Sequence, residues 1–205
     1  MLESQRRKIA RQDAILSTLA KLDYATRAQL QRLHDLRSDR NARKVLDGMR
    51  DYISSFRSES GENVYHLNKA GRERVNFAVV RQKISTAGHY LMRNDAYIHY
   101  GAPVDWKNEA RIKADGEGAA HIIVDSYFVY ELRRHFLEID HKQHMSKNRE
   151  KIERYKRLKA TGVFQEKLRY FPRLVWVTLT EERRKKLAEW CDGLDVVVHL
   201  WDEIK

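Results

Sequence analysis

The sequence predicts a two-block α+β protein, in which a helical block closed by a β-hairpin precedes a block of alternating strands and helices. Three observations carry that expectation. From Gln5 to about Ala78 apolar residues recur mainly at helical spacing. Within that stretch, Tyr52–Phe56 and Val64–Leu67 flank the polar turn Ser60-Gly61-Glu62-Asn63. From about Pro103 onward, apolar runs of strand length alternate with charged helical segments. A chain of 205 residues with 42% hydrophobic content can bury one ordinary core or two small ones. The expected organisation is a first domain over 1–80, a helical connector over 81–102 and an α/β domain over 103–205.

In the first block, Ile9, Ile15, Leu16 and Leu19 form one helical face that stops near Leu22-Asp23. Thr26 is placed to cap a short second helix carrying Leu30 and Leu33. Ser38 is placed to cap a third, in which Ala42, Val45, Leu46 and Met49 lie inward. Three helices followed by a hairpin resemble a winged helix-turn-helix, with Leu67-Asn68-Lys69-Ala70-Gly71-Arg72 as the exit from the wing. On a 100° wheel, Arg40, Arg43 and Lys44 turn away from the apolar face of the third helix. Arginines there suit guanine edges or phosphates, and Lys44 suits a phosphate. The alternative reading of these residues is the charged outer face of any amphipathic helix. Glu59 and Glu62 at the hairpin tip, with Arg57 as the nearby cation, argue against a deep minor-groove wing contact.

The connector reads as mostly helical from Arg72 to about Tyr100, with Val75, Phe77, Ala78 and Val79 available for burial. The second block opens with Pro103-Val104-Asp105-Trp106, then residues 107–114, a Gly-rich turn at 115–118 and an apolar run from His121 to Tyr130. After the short connection 131–134 comes His135 to Asp140, which makes a hairpin with the run before it. With the turn centred near residues 131 and 132, Asp125 falls opposite Glu138, and Glu138 shares a face with Asp140. Converging carboxylates repel unless a cation neutralises them, and Mg²⁺, Mn²⁺, or a lysine or arginine from another element would do so. Residues 141–159 hold eight Lys or Arg against two Glu, with Ile152, Tyr155 and Leu158 at helical spacing. Lys151 is the expected inward cation. Leu174–Thr180 then reads as a central strand, Glu181–Trp190 as a helix whose Arg183 to Lys186 cluster faces solvent, and Val196–Trp201 as a last strand.

These residues resemble the replication-relaxation family of plasmids and other mobile elements. The matching positions are Trp106 with Glu109, Val124-Asp125, Phe136-Leu137-Glu138-Ile139-Asp140, Lys151-Ile152 with Tyr155, and Val175–Thr180 followed by Arg183. The resemblance implies an N-terminal winged helix joined to a small restriction-endonuclease-like domain of the PD-(D/E)xK type. In that pattern Asp125, Glu138 and Lys151 would be catalytic, and Glu109, Asp125 and Glu138 would hold Mg²⁺ or Mn²⁺. Two positions depart from it: Val124 stands where a proline is expected, and Asp140 stands where a lysine is expected. Lysine would then have to come from Lys151 or Lys142.

Net charge of +11 favours a polyanionic partner, and both blocks are basic. The single cysteine, Cys191, excludes a disulfide framework and a cysteine-based zinc cluster. His141 and His144 lack a second pair at zinc spacing, and no Gly-rich phosphate loop is present. No run approaches membrane-spanning length, and no apolar signal segment follows MLESQRRKIARQ, so the expected location is cytoplasmic. The expected function is binding of double-stranded DNA in replication, transfer or transcriptional control of a mobile element. Two alternatives stay open: a metal-dependent endonuclease or nickase, and a non-catalytic assembly protein that recruits replication or transfer proteins. Winged helices often meet paired half-sites as homodimers, although no run here marks such an interface.

Overall fold

The computed structural model describes residues 3–80, 86–114 and 120–205. The chain forms two compact units, Met1–Asn94 and Asp95–Lys205. The expected connector is divided between them. Residues 81–85 lie outside the described residues, and the helix that follows crosses the boundary.

In the first unit, α1 (Glu3–Leu22) buries Ile15, Leu16, Leu19 and Leu22. It ends where Asp23 takes a left-handed conformation. A two-residue strand, β1 (Ala25–Thr26), leads directly into α2 (Arg27–His34), and Thr26 closes a reciprocal capping box with Gln29. Ser38 caps α3 (Asp39–Asp47) by accepting a hydrogen bond from the Asn41 backbone N–H. Then come β2 (Ile53–Arg57), β3 (Asn63–Leu67) and α4 (Lys69–Arg74). The three strands pair antiparallel in the order β1-β3-β2. Their core is continuous with the inward faces of the helices, through Ile15, Leu19, Leu30, Leu46, Met49, Ile53 and Leu67.

The helix expected to run on from Arg72 stops early. Asn76 enters the left-handed region, residues 77–80 form no regular element, and Ala78 and Val79 are exposed instead of buried. Asn tolerates this conformation better than most residues do, so it is a natural place to break a helix. Helix α5 (Ala87–His99) follows the undescribed residues. Its Arg93, on the first unit, is almost wholly buried and pairs with Asp23 at 2.9 Å while donating to the Leu22 carbonyl at 3.2 Å. The unsatisfied C-terminal end of α1 is thereby closed by a cation.

The second unit is a five-stranded sheet in the order β4-β5-β6-β7-β8. Its strands are β4 (Lys107–Ala114), β5 (Ala120–Tyr130), β6 (Arg133–Asp140), β7 (Arg173–Thr178) and β8 (Val196–Leu200). The first three are antiparallel, and β6-β7 and β7-β8 are parallel. Helices α6 (Met145–Ala160), α7 (Val163–Leu168) and α8 (Glu181–Trp190) make the crossovers, and α9 (Trp201–Ile204) ends the chain. One sheet face packs Phe136, Leu174 and Trp176 against Ile152, Tyr155 and Leu158 of α6 and Leu187 of α8. The Gly-rich turn expected at 115–118 lies outside the described residues.

The β5-β6 hairpin turns through Glu131 and Leu132, both at positive φ, as a two-residue turn between right-twisted strands requires. This fixes the register at Tyr130↔Arg133 through Ser126↔Leu137. The next step of that register brings Asp125 opposite Glu138.

Gly71 makes a close approach in the first unit, since a Cβ there would lie 2.0 Å from the Tyr52 carbonyl oxygen. Backbone cannot swing aside as a side-chain tip can. Gly71→Ala is expected to destabilise the protein by about 2 kcal/mol or more, seen as a lower urea midpoint with unchanged m-value.

Candidate functional site

Two groups of side chains stand out, one in each unit. On α3, Ala42 and Leu46 are buried while Arg40, Arg43 and Lys44 are exposed. The Ser38 cap sets the helix phase, and the apolar face fixes its rotation, so the three cations project together from the opposite side. Among the described residues none of the three is drawn into an ion pair. Their charge is therefore directed to solvent or a ligand.

In the second unit the hairpin opens at its inner end. Beyond Ser126↔Leu137 the Asp125 carboxylate takes the place of a ladder partner, its Oδ2 accepting the Ile139 N–H at 2.7 Å. Glu138, only 1% exposed, points to α6. There Lys151 Nζ donates to its Oε2 and the Tyr155 hydroxyl donates to its Oε1. Lys151 and Tyr155 are four residues apart and so share one helix face.

Burial pushes the Glu138 carboxyl up to about 8; the nearby Asp125 charge adds to the rise, and Lys151 and Tyr155 oppose it. Burial also disfavours the Lys151 ammonium, but Glu138 and Asp125 outweigh it and raise its pKa. The pair thus acts in opposite senses on its members: Lys151 draws the Glu138 carboxyl down against burial, and Glu138 draws the Lys151 ammonium up against it. Tyr155 is pushed up as well, by burial first and then by the Glu138 charge.

Two residues further along β6, Asp140 is completely buried. Its Oδ2 accepts from Thr178 Oγ1 at 2.7 Å and from Arg183 Nε at 2.6 Å. Its Oδ1 accepts from Asn148 Nδ2 at 2.7 Å and from the other arm of the Arg183 guanidinium. Arg183 also donates to the Gln143 carbonyl at 2.6 Å. This carboxylate ties together the ends of β6 and β7 and the starts of α6 and α8. Arg183, expected on a solvated face, instead turns inward to neutralise it.

The structure thus brings together Asp125, Glu138 and Lys151, and adds Tyr155. Glu109 behaves differently. It lies exposed on β4 at φ 50°, in the left-handed region, between the pairs Asn108↔Ser126 and Ala110↔Val124, which set it across from Asp125. Among the described residues no group of three or more His, Cys, Asp or Glu is gathered as a metal site. Both oxygens of Glu138 are engaged by α6, and its carboxyl favours a proton over a bare negative charge. A Mg²⁺ or Mn²⁺ ion at Glu138 would have to displace Lys151 or Tyr155 from its carboxylate oxygens.

A family model described as replication-relaxation matches residues 16–174. No curated protein matches the chain. Among solved structures, protein VC1899 from Vibrio cholerae is similar with a TM-score of 0.38 and 15% sequence identity, covering 95% of this chain and 54% of that one. The chain spans about half the length of that protein. No helix among the described residues is long and apolar enough to cross a membrane.

Removal of Asp140 leaves Arg183, Asn148 and Thr178 without their common acceptor. Asp140→Ala is expected to cost about 3–5 kcal/mol in chemical denaturation, the range for breaking a buried ion pair from one side. Glu138 has a distinct pH signature. Unfolded, it ionises near 4.5; folded, it holds its proton to about 8, so its stabilisation is complete below 4.5 and lost as pH rises through 8. Relative to Glu138→Gln, the wild type should lose up to about 1.4 kcal/mol per pH unit between pH 5 and 8, read from urea midpoints.

Proposed function

The chain belongs to the replication-relaxation family, and from that premise we propose that it is a DNA-binding protein of a plasmid, phage or other mobile element. In this reading the first unit is a winged helix-turn-helix in which α2 and α3 form the helix pair and β2-β3 form the wing. The observation that carries the reading is the exposed, uncommitted cationic face of α3, formed by Arg40, Arg43 and Lys44 opposite Ala42 and Leu46. An α-helix fits the major groove of a duplex, and long cationic side chains on its outer face reach base edges and flanking phosphates. The work served is replication, DNA transfer or transcriptional control of the element.

The second unit, in the same reading, is a restriction-endonuclease-like domain whose acidic site serves structure. Two observations support this. Asp140, at the position where the nuclease pattern expects lysine, is locked by Arg183, and Glu138 is locked by Lys151 and Tyr155. A lysine held by a buried glutamate is not free to activate water. Such a domain serves as an assembly platform for replication or transfer proteins.

Arg40→Ala combined with Lys44→Ala is expected to weaken duplex binding and to make its dependence on log[salt] shallower by about 1–2 units, measured by fluorescence anisotropy across a KCl series. Unchanged binding would reject the assignment of α3. Supercoiled plasmid incubated with the protein and Mg²⁺ or Mn²⁺ should remain unnicked. Metal-dependent nicking that disappears in Glu138→Ala would restore the nuclease reading.

A further inference from the structure

Arg43, at the edge of the cationic face of α3, also lines a cleft with two arginines that lie off that face, Arg27 and Arg57. Thr26 of β1 pairs with Val64 of β3, and Arg57 of β2 pairs with Asn63 of β3. Arg27, the first residue of α2, therefore emerges beside Asn63 from one side while Arg57 flanks it from the other. Arg43 on α3 completes the wall. The cleft has a volume of about 260 Å³ and is lined by Arg27, Arg43 and Arg57 with Ala28, Asn63 and the hairpin-tip residues Gly61 and Glu62.

Each guanidinium reaches the cleft from a different element, and two are held in place by neighbouring groups. Arg57 donates to the Gly61 carbonyl at 2.9 Å, which curls its side chain back over the hairpin tip. Arg27 bonds Asp39 at 2.9 Å through one terminal nitrogen, and its Nε is buried with no hydrogen-bond partner. An orphaned buried N–H is costly unless an acceptor completes it. Arg43 makes no ion pair among the described residues. Glu62 supplies the one carboxylate in the lining, so the cationic groups outnumber the anionic by three to one. No acidic residue occupies the first turn of α2, which leaves the positive end of that helix without a compensating side chain.

We propose that the cleft between α2, α3 and the β2-β3 hairpin is a phosphate site that takes one backbone phosphodiester of duplex DNA through Arg27, Arg43 and Arg57. This rests on the DNA-binding reading above and deepens it. The outer face of α3 meets the groove, while the cleft grips the strand beside it. A phosphate presents acceptor oxygens to guanidinium forks and carries no base identity, so the cleft sets register and affinity without sequence preference. It also assigns the hairpin a role that its acidic tip conceals. The wing contributes through Arg57, the last residue of β2 before the turn, and not through insertion of its tip into the minor groove.

The test uses the full chain and random-sequence duplex DNA in fluorescence anisotropy at several KCl concentrations. Arg27→Gln with Arg57→Gln should lower affinity about tenfold and make the plot of log K against log[salt] shallower by about one unit or more. Glu62→Gln should tighten binding severalfold, and this gain keeps the proposal testable even where the double variant folds poorly. A wild-type protein that binds duplex, with both variants giving superimposable salt plots, overturns the cleft and leaves the α3 reading standing. Inorganic phosphate provides a separate arm: its titration should shift the Arg27 and Arg57 side-chain Nε–H resonances saturably in the wild type and not in Arg57→Gln. A wild type that binds no duplex defeats the DNA reading, and arginine resonances unmoved by phosphate defeat the cleft on their own.

Discussion

Burial of two carboxylates on one short strand governs the second unit. Glu138 and Asp140 occupy the same face of β6, and both are nearly or wholly without solvent. A carboxylate in such a place must be protonated, or be met by cations and hydrogen-bond donors. The fold uses a different helix for each. Helix α6 answers Glu138 with Lys151 and Tyr155, and α8 answers Asp140 with Arg183, while Asn148 of α6 and Thr178 of β7 fill the remaining acceptor positions. The crossover helices are thus pinned to the sheet by charge as well as by the apolar contacts of Phe136, Ile152, Trp176 and Leu187. Apolar packing alone tolerates sliding by a fraction of a turn; a bidentate guanidinium on a buried carboxylate does not.

The first unit solves a related problem at a helix end. The C-terminal carbonyls of α1 are enclosed, and Arg93 reaches one of them while pairing with Asp23. The cation that suits the negative end of α1 also neutralises the residue that terminates it. Helices α2 and α3 are handled locally, through Thr26 and Ser38, with no buried charge. This leaves the cations of α3 with no structural duty. A side chain that the fold does not need is one that a ligand can have.

Features governed by local rules were readable from the sequence. Thr26 and Ser38 announce the starts of their helices because capping depends on a few adjacent residues. The β5-β6 turn at Glu131 and Leu132 was legible because two apolar runs left room for only a short loop, and that turn sets the register that brings Asp125 to Glu138. Features that depend on distant partners were not legible. Arg183 sits in a run of four cations, and only the position of Asp140 at the end of the neighbouring strand distinguishes it from Arg184 or Lys185. Tyr155 looks like part of an apolar stripe, and its hydroxyl gains meaning only opposite Glu138. Both lie among the positions that carry the family resemblance, which was the one available signal. The strand β1 is too short to have a pattern, and the positive φ of Glu109 leaves no mark in composition. Asn76 ends its helix in a stretch that otherwise has helical spacing.

Committed and uncommitted cations occur in both units. Both are basic in sequence, yet Lys151 and Arg183 of the second unit face inward onto buried acids, and Arg184 and Lys186 of α8 are paired with Glu181, Glu203 and Glu182. Net charge available to a polyanion is what remains after such pairing, because a cation already neutralised releases few counterions from a phosphate chain. In the first unit Arg40, Arg43 and Lys44 enter no ion pair among the described residues and Arg57 lines the cleft, whereas Arg27 there is paired with Asp39; in the second, Arg149, Arg154 and Arg157 of α6 likewise enter none. Formal charge of +11 is therefore a poor guide to where DNA would sit, and the pairing pattern is a better one. On the DNA-binding reading proposed above, the uncommitted cations of α3 and of the cleft are what the first unit offers a duplex, and the buried acids of the second unit hold its crossover helices to the sheet.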